Sequence, residues 1–431
     1  MNLLDKARDL TAKLKDRGQV RKKLRGPADF HYAIADSIGM LNREAWTKAA
    51  TRGGFFMSWA YLSAMEAVLP DNITPRYALI FEPSEIEDGV AVDATPVAAM
   101  VMQAIDVSLA NMRPLPTNAT PASANKLSAP IAKKIAATTQ RVLTCGNFLT
   151  FGMHGVALAE GVDAAHAPNA WHGVAEALYR VRQAEKLAGK THFVLIKDLH
   201  APHTPAARTL ENLSYRYVET EPDMVLALDP AWKSYDDYLA SLASKYRTNI
   251  RNGVLKPIDE AGCHVEHIDD IAPIQDRLHA LYFAVQKNAT IRPYTLRTDY
   301  FAALRAVAGD NFRCSVVNRG ELTLGFLISI ADGDTSIAYH IGFDREAAQD
   351  LPVYLRLLHA GIADGIALGC KQVSFGRTAL EPKAALGAKP RAFGVLVRHR
   401  QPVLNKLIKG LLTGIDHADA PERNPFKKPV S

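Results

Sequence analysis

Apolar positions along the chain fall into two rhythms, and the switch between them marks its elements. In residues 2–24, Leu3, Leu4, Ala7, Leu10 and Leu14 recur at helical spacing among Lys6, Arg8, Lys13, Lys15 and Arg17. This predicts an amphipathic helix with a basic face. Pro402 to Gly414 repeats the theme, with Val403, Leu404, Leu407, Ile408, Leu411 and Leu412 beside Lys406 and Lys409. From Tyr77 onward the pattern is mixed. Tyr77–Phe81 and Val90–Asp93 read as short strands, and Thr95-Pro96 reads as the start of a helix, Thr as its cap and Pro in its first turn. Residues 111–130, rich in Pro, Asn, Ser and Thr, read as a loop. Strands are expected at Arg141–Thr144, Phe148–Phe151, His192–Lys197 and Tyr215–Leu228, with a helix at Trp171–Leu187.

The later pattern is more regular. Tyr235, Tyr238, Leu239, Leu242, Tyr246 and Ile250 form the stripe of one helix, and Ile271, Ile274, Leu278, Leu281 and Val285 that of another. Three strands follow, Phe312–Val317, Leu322–Ile330 and Thr335–Ile341, separated by turns at Asn318-Arg319-Gly320 and Asp332-Gly333, so an antiparallel meander is expected. A helix from about Leu351 to Leu368, closed by Gly369, precedes a strand at Gln372–Phe375. The two halves share a plan: hairpin-like strands, a helix, a glycine cap at Gly189 or Gly369, then an apolar strand.

Composition bounds this picture. A chain of 431 residues, 48% hydrophobic and 22% charged, is expected to be soluble, globular and divided into two domains. It holds no apolar run of about 18 residues, and Asp5 and Asp9 interrupt any secretory leader, so the cytoplasm is the expected compartment. Cys145, Cys263, Cys314 and Cys370 are far apart and form no CxxC pair, which points to reduced thiols rather than a zinc site. Residues 1–25 and 389–431 each carry nine Lys/Arg against three Asp/Glu, so the +6 of the whole chain resides at its ends and the body between is acidic. Two basic amphipathic ends admit peripheral contact with a membrane; no DNA partner is expected.

Several segments are candidates for chemistry, each beside a plainer reading. Phe375-Gly376-Arg377 ends a buried strand, where the glycine permits a tight turn or close approach by a ligand. Arg377 then either faces a ligand or pairs with an acid such as Glu381. Lys245, Arg247 and Arg251 share a helix and suit phosphate or carboxylate, or form a solvated basic face. Tyr339 and His340 end a strand, where a histidine can act as a base and a tyrosine as a donor, or both can be core residues. Asp350 and Pro352 mark a helix start able to receive a phosphate. His200-Ala201-Pro202-His203 has metal-like spacing without a third ligand, so no metal is expected. There is no P-loop, no GxGxxG after a strand and no GxSxG elbow.

Taken in order, Ser241–Arg251, Tyr339–Asp344, the Leu351-Pro352 helix and the run from Gly369 through Phe375-Gly376-Arg377 to Lys383 and Leu386-Gly387 resemble the GNAT acyltransferase superfamily. The branch is the one with Fem-type peptidoglycan peptidyltransferases and related bacterial acetyltransferase-like proteins, and the likeness covers about Trp232–Lys389. It implies an α/β fold of α+β type, with tandem domains whose splayed, partly antiparallel sheets are flanked by helices. The chain then divides into a basic N-terminal helix (1–25), a divergent GNAT-like domain (26–228), a GNAT acyltransferase-like domain (229–400) and a basic C-terminal helix and tail (401–431).

The implied activity is N-acyl transfer from an acyl donor, acyl-CoA, to an amine of a small metabolite or a cell-envelope precursor. His340 is then the base with Tyr339 beside it. Phe375, Gly376 and Arg377 flank the reacting carbonyl, and Arg377 and Lys383 position an anionic part of donor or acceptor. Where acetyl-CoA users of the family carry a Gln/Arg-x-x-Gly-x-Gly/Ala loop, this chain has Asp344–Asp350 with no glycine and three acids. Two further readings therefore stand: a tRNA-dependent aminoacyl transferase of the Fem type, and a non-catalytic GNAT-like pair at a membrane. If His340 is the base, His340→Ala abolishes most turnover; full turnover in that variant removes it from the role.

Overall fold

The computed structural model describes residues 26–83, 94–108, 139–288, 292–413 and 423–427, with 19, 22, 24, 86–87, 90–91 and 421. The helix expected over 2–24 lies almost wholly outside these residues, and the loop expected at 111–130 lies wholly outside them.

In the first half, β1 (His31–Ala35), β2 (Ile73–Phe81), β5 (Pro96–Ser108) and β6 (Thr139–Cys145) pair antiparallel in that order, with a small hairpin of β3 (Ile86–Glu87) and β4 (Val90–Ala91) between β2 and β5. The three-residue β7 (Val156–Leu158) also pairs with β5. The helix expected from Thr95-Pro96 is thus a strand. Val97–Ile105 is buried without a break, as only a central strand covered on both faces can be, and Pro96 sits at its first position, where a missing N–H is tolerated. Helix Ala167–Ala184 buries Trp171, Val174, Leu178 and Val181 and carries the chain over to β8 (Thr191–Leu199), which is parallel to β6. Phe148–Phe151 is a turn rather than a strand. Its Phe148 and Leu149 N–H groups donate to the side chains of Gln103 and Asn147 instead of to a neighbouring strand.

The second half repeats the plan. β9 (Arg216–Ala227) leads to helices Tyr235–Ser241 and Ser244–Ile250, a π-turn at Arg251–Leu255 and helix Lys256–Glu260. One continuous helix was expected over the first two, but Leu242 is extended (ψ 145°) and breaks it. β10 (Cys263–Ile268), β11 (Phe312–Arg319), β12 (Leu322–Asp332) and β13 (Thr335–Phe343) form the expected antiparallel run, with β10 added at its outer edge. Helix Val353–Ala367, buried through Leu357, Leu358 and Ile362, crosses to β14 (Gln372–Ser374), parallel to β13. β15 (Lys389–His399) precedes helix Pro402–Thr413.

β14 pairs with β9, and β15 enters between β8 and β9, so all but the small hairpin join one thirteen-stranded sheet. It is a mixed α/β structure whose two halves follow a similar plan. The largest core lies between the halves. It unites Trp46, Phe56 and Tyr61 with Leu281, Tyr300 and Phe326, and helix Tyr300–Ala308 packs on helix Trp59–Glu66. Of the four cysteines, which form no disulfide, Cys145, Cys263 and Cys314 are buried. No described helix is long and apolar enough to cross a membrane.

Helix Gln275–Gln286 lies so close to β13 that a Cβ on Gly342 would sit 2.7 Å from the Tyr282 nitrogen and 2.8 Å from the Leu281 carbonyl carbon. Backbone cannot yield as a side-chain tip can. Gly342→Ala is therefore expected to destabilise the fold by about 2–3 kcal/mol, measured by denaturant unfolding.

Candidate active site

The parallel pair β13/β14 holds for three residues, Thr335–Ile337 against Gln372–Ser374, and then opens. β14 is drawn away by β9: the Phe375 N–H donates to the Met224 carbonyl at 2.9 Å, and the Met224 N–H to the Gly376 carbonyl at 3.2 Å. On the other side, β13 carries a bulge. Ser329 faces Ala338 and Ile328 faces His340, which leaves Tyr339 as the extra residue. From Ala338 to Phe343, β13 has no strand partner on the β14 side, so a notch opens between the strands.

Phe375-Gly376-Arg377 forms the wall of this notch, fixed by buried charge. Gly376 has φ 69°, and a Cβ there would lie 3.1 Å from the Phe151 ring. Asp223 accepts from the Ser374 hydroxyl at 2.7 Å and the Gly376 N–H at 3.0 Å. The Lys383 ammonium donates to the carbonyls of Gly376 (3.0 Å) and Arg377 (2.6 Å). Burial raises the Asp223 carboxyl and lowers Lys383 to about 8. Arg377 pairs with Asp198 of β8, which is 2% exposed and also accepts from Lys197 and the Gly152 N–H. Its guanidinium lies 5.4 Å from the Phe393 ring centre, and burial lowers its pKa to about 10. Glu381, the acid expected beside it, pairs with Arg423 instead. The cations of Arg377 and Lys383 thus serve the junction of the two halves.

Tyr339 and His340 point into the core between the halves. The Tyr339 hydroxyl lies 2.6 Å from that of Tyr300 and 3.4 Å from that of Tyr61, which in turn accepts from Asn147 at 3.1 Å. Burial keeps these phenols neutral. The His340 ring is caged by Tyr282, Tyr300, Phe301 and Tyr339, whose centres lie 4.2–5.9 Å away. Desolvation lowers its pKa to about 3, and Nε2 has no hydrogen-bond partner. A neutral imidazole so enclosed suits packing beneath the bulge better than it suits accepting a proton.

One cleft lies beside helix Val353–Ala367 and a second reaches the notch. The first, of about 290 Å³, is lined by Tyr246, Asn249 and Ile250, by Leu355, Leu358 and His359, and by Glu381, Pro382 and Ala385. Lys245 and Arg251 are exposed beside it, and Arg247 is half-buried with a 3.4 Å hydrogen bond to the Leu242 carbonyl. His359 is hydrogen-bonded to Tyr235 at 2.9 Å, and burial lowers it to about 3. Helix Val353–Ala367 begins at Pro352 without a side-chain cap; its Val353 N–H turns back to the Leu351 carbonyl at 2.8 Å, so only the next N–H groups of its first turn are candidates for an anion. In the preceding loop, by contrast, Asp344 accepts from the Glu346 and Ala347 N–H groups at 3.1 and 3.0 Å. An acid stands there in the place a phosphate would need.

The second cleft, about 380 Å³, lies at the seam of the halves and reaches the notch at Thr335, Ile337 and Ser374. His154, His200, Asp223 and Asp332 line it, with Arg52 and Arg391 at its exposed wall. His154 is 7% exposed. Its Nε2 lies 3.1 Å from the Phe151 carbonyl, and its Nδ1 is unbonded, 3.9 Å from Asp332. Burial lowers its pKa against the opposing pull of Asp332; His200 falls to about 4, mainly by burial. These residues come from separate segments, and no spacing in the sequence links them. Only the turn at Asp332-Gly333 and His200, in the run His200-Ala201-Pro202-His203, stand out in the sequence. Among the described residues no cluster of three or more His, Cys, Asp or Glu is placed to hold a metal.

Residues 244–384 match the family described as Acetyltransferase (GNAT) domain, and this part of the chain is such a domain. No curated protein matches the sequence. Among solved structures, FemX aligns with 11% identity over 82% of this chain and 94% of its own, at a TM-score of 0.48. A tandem GNAT protein from the clavulanic acid biosynthesis pathway aligns with 11% identity over 86% and 99%, at 0.46. L-PGS from Bacillus licheniformis aligns with 10% identity over 86% and 97%, at 0.44.

Removing the Arg377 side chain leaves Asp198 buried with less compensation. Arg377→Ala is therefore expected to cost about 2–4 kcal/mol of stability in chemical denaturation, discounted for the partial exposure of the arginine. An unchanged midpoint, with lost ligand binding, would instead make Arg377 a binding residue.

Proposed function

We propose that this chain is an N-acyltransferase that moves an acyl group from acyl-CoA to the amine of a small metabolite or cell-envelope precursor. The observation that carries the reading is the notch between β13 and β14, together with an apolar, cation-flanked cleft beside helix Val353–Ala367 and a polar, histidine-lined cleft that reaches the notch. The first suits the long arm of the donor, with Lys245, Arg247, Arg251 and the uncapped start of helix Val353–Ala367 near its anionic end. The second suits the acceptor, which arrives as an amine between Asp223 and Asp332.

In the reaction, the amine nitrogen attacks the thioester carbonyl. A C–N bond forms, the C–S bond breaks, and the amine proton passes to a base while the departing thiolate takes up a proton. Unpaired backbone N–H groups of β13 beyond Ile337 are the candidate donors to the oxyanion. His154, which lines the acceptor cleft with Nδ1 3.9 Å from Asp332, is the candidate to accept the proton rather than His340, which lines neither cleft. Phe375 and Gly376 shape the notch, and Arg377 and Lys383 hold that wall in place. Asp344 takes the N–H groups of its loop, so the donor's phosphates rest on the basic helix and the Val353 helix start instead.

A thermal-shift titration with acyl-CoAs of increasing chain length, followed by turnover on a panel of amines, tests the reading. At least one acyl-CoA is expected to raise the melting temperature by several degrees. Ala385→Trp, which fills the first cleft, should abolish that shift while leaving the unliganded protein folded. Absence of any shift, together with transfer from charged tRNA, would replace this reading with the tRNA-dependent one.

A further inference from the structure

Helix Pro402–Thr413 lies on β9 and β15 and is fastened there by Asn405, which is buried. The Asn405 side chain accepts from the His399 N–H at 2.7 Å and donates to the Ser214 carbonyl at 2.8 Å. At roughly 100° per residue, Val403, Leu404 and Leu407 then fall on the face away from the sheet. They are 71%, 43% and 54% exposed. Single exposed aliphatics are ordinary, but these are adjacent, and Leu187, fully exposed, projects from the turn that leads into the neighbouring β8.

Beside them lies a depression of about 390 Å³ lined by Arg182, Lys186, Lys190 and Arg400, with Gln183 and Thr191 and no acid. Arg400 ties the two features together, since its N–H donates to the His192 carbonyl at 2.9 Å and the helix starts two residues later. Burial, then Arg398 and Arg400, lowers the Arg182 pKa, which shows how closely these cations crowd.

We infer that this pole of the molecule docks on an anionic lipid bilayer, with Val403, Leu404, Leu407 and Leu187 entering the interface and Arg182, Lys186, Lys190 and Arg400 meeting the headgroups. Cations alone would suit a nucleic acid equally well, but a phosphodiester backbone gives outward-facing aliphatic side chains nothing to bury against. A bilayer meets both demands at once, and the charge of its surface complements a depression without acids. The inference is independent of the acyl-transfer reading, because the surface, drawn from the turn before β8 and from the C-terminal segment, shares no residue with either cleft.

Sedimentation of the full chain with phosphatidylcholine vesicles, with and without phosphatidylglycerol, tests it. Binding is expected only with phosphatidylglycerol and should weaken as salt rises. The variant Val403→Ser/Leu404→Ser/Leu407→Ser should bind about tenfold less or weaker still. The variant Lys186→Gln/Lys190→Gln/Arg400→Gln should lose about a hundredfold and show a flatter salt dependence. Both alter exposed positions, so an unchanged melting temperature is expected for each. No binding to the charged vesicles overturns the inference. Binding that survives both variants also overturns it and assigns the contact to residues outside this pole. Binding to duplex nucleic acid that the glutamine variant abolishes and the serine variant leaves intact would replace the lipid with a nucleic acid.

Discussion

Every backbone N–H and C=O at the edge of a buried strand needs a partner, and β9 has two such edges inside this molecule. β14 pairs with one edge and β15 with the other, both after chain reversals that begin in the second half. That pair of ladders makes one sheet of two halves. It also decides the shape of the notch. β14 follows β9 through Phe375 and Gly376, while β13 is held by β12 and turned by its bulge at Tyr339, so β13 and β14 part after three residues.

The charges at this junction follow from the same geometry. Bringing strand ends from both halves together buries Asp198, Asp223 and Lys383 and half-buries Arg377, which weakens the screening of their charges by water. Each is answered by an opposite charge or by backbone groups. A lone ion in that position would be costly; the interlocked set holds a turn with left-handed residues at Gly376, Thr378 and Ala379, at φ 69°, 63° and 46°. Such rigidity suits a wall against which a reacting carbonyl is positioned. The histidines nearby are differentiated by their surroundings. His340 is enclosed by aromatic rings and His359 is hydrogen-bonded to Tyr235, whereas His154 lies 3.9 Å from Asp332 in the lining of the second cleft.

The outer surface shows a different division of labour. Around the notch, cations are paired or placed beside apolar walls. At the pole formed by Lys186, Lys190 and Arg400 they stand together without acids, next to aliphatic side chains that no described element covers. The basic excess at the C-terminal end of the sequence therefore divides between this pole, through Arg400, and the clefts, which Arg391 and Arg423 line.

By itself the sequence determined the elements whose signals are local. Leu355, Leu358, Ile362 and Ile366 recur at the helical period and predict the Val353–Ala367 helix to within two residues at its start. The Gly320 and Asp332-Gly333 turns fix the meander of β11, β12 and β13, because both turns and both periods are properties of a few neighbouring residues. The ordered segments from Ser241 to Leu386 carried the GNAT likeness for the same reason. Tertiary structure alone decided the rest. Pro96 begins a strand because β2 and β6 cover the apolar run behind it, and Leu242 breaks a helix whose apolar stripe runs on unbroken in the sequence. Arg377 meets Asp198 rather than the adjacent Glu381, and His154 meets Asp332, only because β15 and β14 flank β9 and draw distant segments together. Periodicity records which face of an element is apolar. It holds no record of which distant element will cover that face, and the candidate site is made from those distant pairings.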